Sequence, residues 1–236
     1  MICAPWSRKA YRSAVIILGV TGSIGMGKST AIAALRHYGV PILEADRVVH
    51  RLTAPHGRAL SAIGRAFPDT VSDGRLDRGK LAAIVFADKA ALTRLEAILH
   101  PLYEDEERRF VARARGNRAA LVAIDIPLLF EVGADARMDA VLVVSAPAMI
   151  QRSRVLRRRG MTAARLAAIL VRQMPDREKR RRADFILRTG GARRDALRQL
   201  KAIVDSLRRA PCRRRGAAAD RTQNRAPLAQ VIARTS

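Results

Sequence analysis

A glycine-rich segment between an apolar stretch and a helix-forming stretch constrains the fold of this chain most. Residues Gly22–Ser29 read GSIGMGKS, a complete match to the pattern G-x-x-x-x-G-K-[ST]. The apolar, β-branched stretch Ala14–Val20 before it predicts a buried strand, and Ser29–Tyr38 after it predicts a helix that ends at Gly39. A strand, a glycine loop and a helix in this order predict a phosphate-binding loop.

The chemistry of such a loop gives each of its residues an expected role. Glycines let the backbone wrap around phosphates without Cβ clashes, and backbone N–H groups at a helix N-terminus attract the negative charge. Lys28 is expected to reach the β- and γ-phosphates of ATP, and the Ser29 hydroxyl to coordinate Mg²⁺. The predicted ATP-binding residues are Gly22, Gly25, Met26, Gly27, Lys28, Ser29 and Thr30.

Apolar runs alternate with helical patterns along the rest of the chain. Further strands are predicted at Val40–Ala45, Leu121–Ile126, Asp139–Ala146 and Ala183–Leu187. Helices are predicted at Ala148–Arg159, Thr162–Met174 and Ala192–Leu207, and helical patterns dominate between Arg47 and Arg115. This alternation predicts an α/β fold, a parallel sheet covered by helices on both faces, with its chemistry at the carboxyl ends of the strands.

The positive charge of the chain is unevenly distributed. Of the formal net charge of +24, about +19 lies in residues 151–236. A basic half suggests nucleic-acid binding, but single-strand binders interleave aromatic rings for base stacking, and Phe185 is the only aromatic residue in that half. The composition therefore favours a solvated basic surface with phosphate-facing arginines, and leaves weak, non-specific nucleic-acid binding as an alternative.

Composition also excludes several classes of protein. A hydrophobic fraction of 49% is that of a globular chain, and no apolar run approaches the roughly 18 residues of a membrane span. Cys3 and Cys212 offer neither a disulfide framework nor a metal-binding spacing, which predicts a reducing, cytoplasmic location. Cleavage of the basic and apolar start as a secretion signal would damage the glycine motif, so Met1–Ser13 is interpreted as an extension.

Acidic residues that end two of the predicted strands are candidates for chemistry. Asp46 follows the second strand, where a carboxylate could accept a proton from an acceptor hydroxyl, or could cap the following helix. Asp125 ends the third strand, where it could support Mg²⁺, through water, or simply form a turn.

Basic residues provide two further candidates. Arg154 and Arg158 are spaced i, i+4 on a predicted helix, which suits a mobile lid that closes on a transferring phosphate but also suits a solvated face. His100 precedes a proline at the end of the helical pattern Ala90–Leu99, where a structural cap or core residue is the simpler interpretation.

Six segments together resemble the dephospho-coenzyme A kinase family, over roughly Val15–Leu207. They are Leu18–Thr30 (LGVTGSIGMGKST), Glu44-Ala45-Asp46, Leu99-His100-Pro101-Leu102, Asp125–Glu131 (DIPLLFE), Arg154–Arg158, and Arg172–Asp184 (RQMPDREKRRRAD). The glycine loop alone would fit many proteins, but LHPL and DIPLLFE at these separations are specific to the family. Glu44, Arg159 and Thr189 depart from the family pattern, in which Asp, Asp and Asn are usual.

The resemblance implies an activity and a role for each candidate. The family phosphorylates the ribose 3′-hydroxyl of dephospho-coenzyme A with ATP and Mg²⁺. By resemblance, Asp46 is the general base, Arg154 and Arg158 stabilise the transferred phosphoryl group, and His100 binds the acceptor. Lys28, Ser29 and Asp125 keep the roles given above. The alternatives are another P-loop small-molecule or nucleoside monophosphate kinase and, more distantly, a nucleic-acid-binding P-loop protein.

The resemblance also implies a domain organisation. A P-loop kinase domain with a five-stranded parallel sheet is expected over residues 14–209. Within it, residues 47–115 form a helical acceptor-binding region and residues 148–175 a lid. Residues 1–13 and 210–236 are expected to be a flexible extension and a basic flexible tail.

Overall fold

The computed structural model describes residues 15–209, so the predicted extension and tail lie outside the described residues. Within that range the chain divides into two compact units. The first unit comprises residues 15–42, 111–130 and 134–209, and the second comprises residues 43–110 and 131–133. The acceptor-binding and lid functions assigned to residues 47–115 and 148–175 stay predictions.

Strands and helices alternate along most of the described chain. In order, the elements are β1 (Ile16–Thr21), α1 (Lys28–His37), β2 (Ile42–Glu44), α2 (Ala45–Leu52), α3 (Leu60–Ala66), β3 (Val71–Ser72), β4 (Arg75–Leu76), α4 (Arg78–Ala87), α5 (Lys89–Gly116), β5 (Leu121–Asp125), β6 (Ala140–Ser145), α6 (Ala148–Leu156), α7 (Ala163–Val171), α8 (Asp176–Arg182), β7 (Phe185–Arg188) and α9 (Arg193–Arg209). A four-residue 3-10 helix, Ala134–Arg137, precedes β6.

Five of these strands form one sheet, in the order β2-β5-β1-β6-β7, and β3 and β4 form a separate two-stranded sheet. β1 pairs in parallel with both β5 and β6, and β6 pairs in parallel with β7. Strands β5 and β6 are buried at every position because helices cover both faces, as parallel sheets require. The prediction of an α/β fold with a five-stranded parallel sheet is confirmed.

The core of the first unit lies between this sheet and its helices. Leu18, Leu142 and Val144 from the strands are completely buried and belong to the same cluster as Leu35 of α1 and Leu200 of α9. Parallel pairing brings the carboxyl ends of β1, β5, β6 and β7 to the same edge of the sheet. The glycine loop, Asp125, Ser145 and Thr189 all follow or end these strands, so the fold of this unit gathers them.

The second unit contains α2 to α4, most of α5 and a short hairpin. Strands β3 and β4 of that hairpin are joined by Asp73-Gly74, whose positive φ values of 49° and 68° are those of a two-residue type I′ turn. Helix α4 begins at a conventional cap, because the Asp77 carboxylate accepts from the Lys80 N–H at 2.9 Å. The sequence predicted that helical patterns dominate between Arg47 and Arg115, so the hairpin was not expected.

Several predicted boundaries are wrong. Helix α6 ends at Leu156 rather than Arg159, and β2 ends at Glu44, so Asp46 lies in a helix and not at a strand end. The helical pattern that ended at Leu99 continues through Pro101 as the 28-residue helix α5. The prediction that Gly39 terminates α1 is confirmed. Gly39 follows Tyr38, the C-cap residue of α1, and its φ of 68° lies in the left-handed region that such glycines adopt.

Candidate active site

The glycine loop after β1 has the backbone conformation that its sequence requires. Gly25 and Gly27 have φ values of 77° and 89°, in the left-handed region that side chains disfavour. A Cβ added to Gly22 would lie 2.6 Å from the carbonyl oxygen of Val144, so a hydrogen is all that fits there. Helix α1 begins directly after Gly27, and its N-terminus adds a partial positive charge to the loop.

Lys28 and Asp125 form an ion pair at the carboxyl ends of β1 and β5. The Lys28 Nζ donates to Asp125 Oδ1 at 2.5 Å, and the two side chains are only 20% and 11% exposed. A charge-assisted hydrogen bond in so sheltered a position is stronger than a surface pair. The structure therefore brings together the predicted phosphate-binding lysine and the predicted metal-supporting carboxylate.

Two hydroxyl residues of the first turn of α1 are open to solvent. Ser29 and Thr30 are both exposed, at the helix end that follows the glycines. Among residues 15–209 there is no cluster of three or more His, Cys, Asp or Glu side chains that could hold a metal by itself. The Ser29 hydroxyl and the Asp125 carboxylate are hard oxygen donors, the kind that Mg²⁺ accepts alongside water and nucleotide phosphates.

Arg154 lies beside the loop, held by Thr189. Its Nη1 donates to the Thr189 hydroxyl at 3.1 Å and its Nη2 to the Thr189 carbonyl at 2.6 Å. A Cβ added to Gly27 would lie 3.5 Å from Arg154 Nη1, so the guanidinium is next to the last glycine of the loop. Arg154, predicted as a lid residue, thus lies next to the glycine loop.

Arg158 does not share a helix face with Arg154. Because α6 ends at Leu156, Arg158 lies in the following turn, where its N–H donates to the Val155 carbonyl at 3.0 Å. Its side chain is exposed. The i, i+4 argument for a matched pair of arginines is therefore wrong, although Arg158 still belongs to the segment between α6 and α7.

Two glutamines that the sequence analysis did not identify hold the loop at Ile24. The Gln151 Nε2 donates to the Ile24 carbonyl at 2.8 Å, and the Ile24 N–H donates to Gln173 Oε1 at 3.3 Å. Both side chains are buried, at 6% and 7% exposure. They come from α6 and from the segment after α7; Gln173 lies within the quoted segment Arg172–Asp184, but the sequence assigned no role to either glutamine.

Met26 is anchored in the same way. Its N–H donates to the Ser23 carbonyl at 3.2 Å, its carbonyl accepts from the Thr189 hydroxyl at 2.6 Å, and its sulfur accepts from the Ala146 N–H at 3.1 Å. The side chain is buried. Met26 was predicted to bind ATP. Its buried side chain instead anchors the loop to the protein interior, and its backbone N–H is already bonded to the Ser23 carbonyl.

Asp46, in the second unit, is the second residue of α2 and is half-buried. Glu44 occupies the N-cap position without capping through its side chain, so the interpretation of Asp46 as a cap is wrong. In the first turn of a helix the N-terminal dipole stabilises the ionised form of a carboxylate. Asp46 therefore lies where the N-terminal dipole of α2 favours negative charge.

His100 lies inside α5, where the sequence analysis placed a helix end. It is half-buried, and its Nε2 is completely shielded from solvent. One turn earlier on the same helix, Glu96 is only 8% exposed, and its Oε1 has no hydrogen-bond partner among the described residues. Burial raises the pKa of the Glu96 carboxyl to about 7.

Comparison with known proteins decides the family. The dephospho-CoA kinase family model matches residues 16–195 of the chain. The chain belongs to the dephospho-CoA kinase family. A dephospho-CoA kinase of Mesorhizobium japonicum is 52% identical over 194 residues, which cover 82% of this chain and 98% of that one. A dephospho-CoA kinase of Paramagnetospirillum magneticum is 57% identical over 192 residues, covering 81% and 91%.

Solved structures agree with this assignment to the dephospho-CoA kinase family. A protein of Thermus thermophilus superposes with a TM-score of 0.72 at 39% identity, over 82% of this chain and 98% of that chain. A dephospho-CoA kinase from Campylobacter jejuni superposes with a TM-score of 0.61 at 25% identity, over 81% and 96%. The predicted family and enzyme class are confirmed. Within residues 15–209, none of the helices has the length and apolarity needed to cross a membrane.

Proposed function

We propose that this chain transfers the γ-phosphoryl group of ATP to the ribose 3′-hydroxyl of dephospho-coenzyme A, with Mg²⁺, in the cytoplasm. The observation that carries the proposal is the Lys28–Asp125 ion pair at the glycine loop, in a chain of this family. The loop's glycine conformations and the α1 N-terminus support phosphate binding beside that pair. The acceptor follows from what the relatives are named for.

In this mechanism the first unit handles the donor nucleotide. Lys28 contributes a positive charge to the β- and γ-phosphates, and Asp125 keeps its ammonium group positioned before the nucleotide arrives. The Ser29 hydroxyl and the Asp125 carboxylate are the residues that would hold Mg²⁺, whose chemistry is to neutralise phosphate charge during transfer. Arg154, next to Gly27, adds positive charge where negative charge spreads over the transferred group.

The second unit contributes the residues assigned to the acceptor. Asp46 accepts the proton of the 3′-hydroxyl as that oxygen bonds to the γ-phosphorus and the bond from this phosphorus to the β,γ-bridging oxygen breaks, which releases ADP. His100 contributes to acceptor binding. The position of Asp46 in the first turn of α2 supports this role, because a helix N-terminus favours a carboxylate there. The segment between α6 and α7, which carries Arg158, is assigned the role of a lid that excludes water.

The test is ATP consumption by the purified chain with Mg²⁺, with and without dephospho-coenzyme A, followed by mass spectrometry of the product. A product heavier by one phosphate at the 3′ position, absent with Lys28→Ala, supports the proposal. ATP consumption with other acceptors only would reject dephospho-coenzyme A as the acceptor and leave the assignment as a P-loop kinase intact. Binding to nucleic acid without any phosphoryl transfer would reject the assignment of kinase activity.

The role of Asp46 has its own test. Asp46→Asn is expected to keep the affinity for ATP and to lower kcat at least about 100-fold, because general bases typically contribute that much. Asp69→Asn is the matched control: Asp69 is exposed in the same unit, and its φ of 65° suits asparagine equally well. Near-normal turnover of Asp46→Asn would exclude the assignment of this residue as the base.

A further inference from the structure

Backbone hydrogen bonds in the glycine loop follow an alternating pattern. Ile24 and Met26 use both their N–H and C=O groups in bonds to protein atoms. Gly25 and Gly27, between and after them, have positive φ values, and their N–H groups donate to no protein acceptor among the described residues. The loop thus alternates anchored residues with residues whose N–H groups are available to a ligand.

Anchoring a carbonyl fixes the next N–H group, because the two belong to one planar peptide. The described chain contains no cis peptide bonds, so each C=O is antiparallel to the N–H of the following residue. Gln151 holds the Ile24 carbonyl and thereby directs the N–H of Gly25 away from itself. Thr189 holds the Met26 carbonyl and does the same for the N–H of Gly27.

Arg154 determines which way the Thr189 hydroxyl donates. An arginine can only donate, so the bond from Arg154 Nη1 occupies an acceptor position on the Thr189 oxygen. The hydroxyl has a single proton left to give, and the nearest acceptor is the Met26 carbonyl at 2.6 Å, compared with 3.4 Å to the Ser145 carbonyl. The guanidinium, the threonine and the loop therefore form one chain of hydrogen bonds.

We propose that Gln151 and Thr189 are positioning residues for phosphate binding: by holding the Ile24 and Met26 carbonyls, they orient the N–H groups of Gly25 and Gly27 toward the phosphates of ATP. This inference rests on the proposed function, since it takes ATP as the donor. Glycine at positions 25 and 27 permits many backbone conformations, so the loop needs outside contacts to stay in the binding one. Both contacts come from elements far along the chain, α6 and the residue after β7.

The experiment measures affinity for inorganic tripolyphosphate and for ATP by calorimetry with Mg²⁺, and KM for dephospho-coenzyme A by kinase assay. Thr189→Val and Gln151→Met keep side-chain size but lose the donors. Each variant is expected to weaken the binding of tripolyphosphate and of ATP by the same factor, about 5- to 10-fold, which is the effect of one lost hydrogen bond. KM for the acceptor should stay within about twofold of wild type.

Two further variants separate positioning from structure. Thr189→Ser retains the hydroxyl and should restore wild-type tripolyphosphate affinity. Thr70→Val removes another buried hydroxyl that donates to a carbonyl, that of Phe67 at 2.7 Å, in the other unit. It should lower the melting temperature and leave tripolyphosphate binding unchanged.

The outcomes distinguish the inference from the function beneath it. Wild-type affinity for tripolyphosphate in both Thr189→Val and Gln151→Met would overturn the inference alone. An equal rise in the acceptor KM, or a loss in Thr189→Ser as large as in Thr189→Val, would also overturn it. If one variant does not fold, the other still tests the idea, because each residue holds a different carbonyl. A wild-type chain that binds neither ATP nor tripolyphosphate would overturn the proposed function, and the inference with it.

Discussion

Replacing Glu96 with glutamine should change how the stability of this protein depends on pH. Glu96 is 8% exposed, and burial raises the pKa of its carboxyl from the ordinary 4.5 to about 7 in the folded chain. Between these two values the folded state keeps a proton that the unfolded state has released. The free energy of unfolding therefore falls as pH rises through this window, and the full contribution of the protonated group is present below about pH 4.5.

The size of the effect follows from the width of the window. At about 1.4 kcal/mol per pH unit, ionising Glu96 costs the folded wild-type chain roughly 3 kcal/mol by about pH 8. The Glu96→Gln side chain does not titrate and avoids this cost. The difference in unfolding free energy, variant minus wild type, should therefore increase by roughly 3 kcal/mol between about pH 4 and about pH 8.

Urea denaturation followed by circular dichroism, at half-unit pH steps, measures this difference directly. Other groups titrate equally in both chains, so their contributions cancel in the comparison. Glu178→Gln is the matched control, since Glu178 is an exposed helical glutamate: a surface charge near a helix end is worth at most about 1 kcal/mol, so this variant should not show the roughly 3 kcal/mol change. Parallel profiles for wild type and Glu96→Gln would refute the argument that burial holds the proton on Glu96.

Two further predictions concern the glycine loop and the second unit. Gly22→Ala should abolish measurable ATP binding in calorimetry, because its Cβ would lie 2.6 Å from a backbone oxygen, whereas Gly116→Ala, with no atom within 4 Å of its Cβ, should not affect it. Unchanged ATP affinity in Gly22→Ala would contradict this prediction and show that the backbone at Val144 shifts to make room for the added methyl group. The Arg58 guanidinium, which donates to the Asp105 carboxylate at 3.0 Å, lowers the pKa of that carboxyl. In Arg58→Met the pKa should rise toward its ordinary value in an NMR titration, and an unchanged pKa would assign the shift to other groups.

The sequence predicted the local structure of the first unit well because that structure has local causes. Continuous apolar runs at β1, β5 and β6 indicate strands buried on both faces, and glycines at positions 25 and 27 are required by positive φ values. Predictions failed where local signals conflicted with longer-range packing. Pro101 suggested a helix end, yet α5 continues through it because buried residues on both sides, such as Leu99 and Tyr103, hold the helix in place.

The sequence by itself determined the phosphate-binding loop, the order of the sheet strands and helices around it, and Lys28 and Asp125 as separate candidate residues, whose ion pair the folded chain then showed. Each of these depends on residues adjacent in the chain or on the rule that parallel strands end at one edge of the sheet. The tertiary structure alone decided what anchors the loop, because Thr189 and Met26 are 163 positions apart and Gln151 and Ile24 are 127 apart. A hydrogen bond from a side chain to a distant carbonyl imposes no periodicity on the sequence, so only the folded chain reveals it.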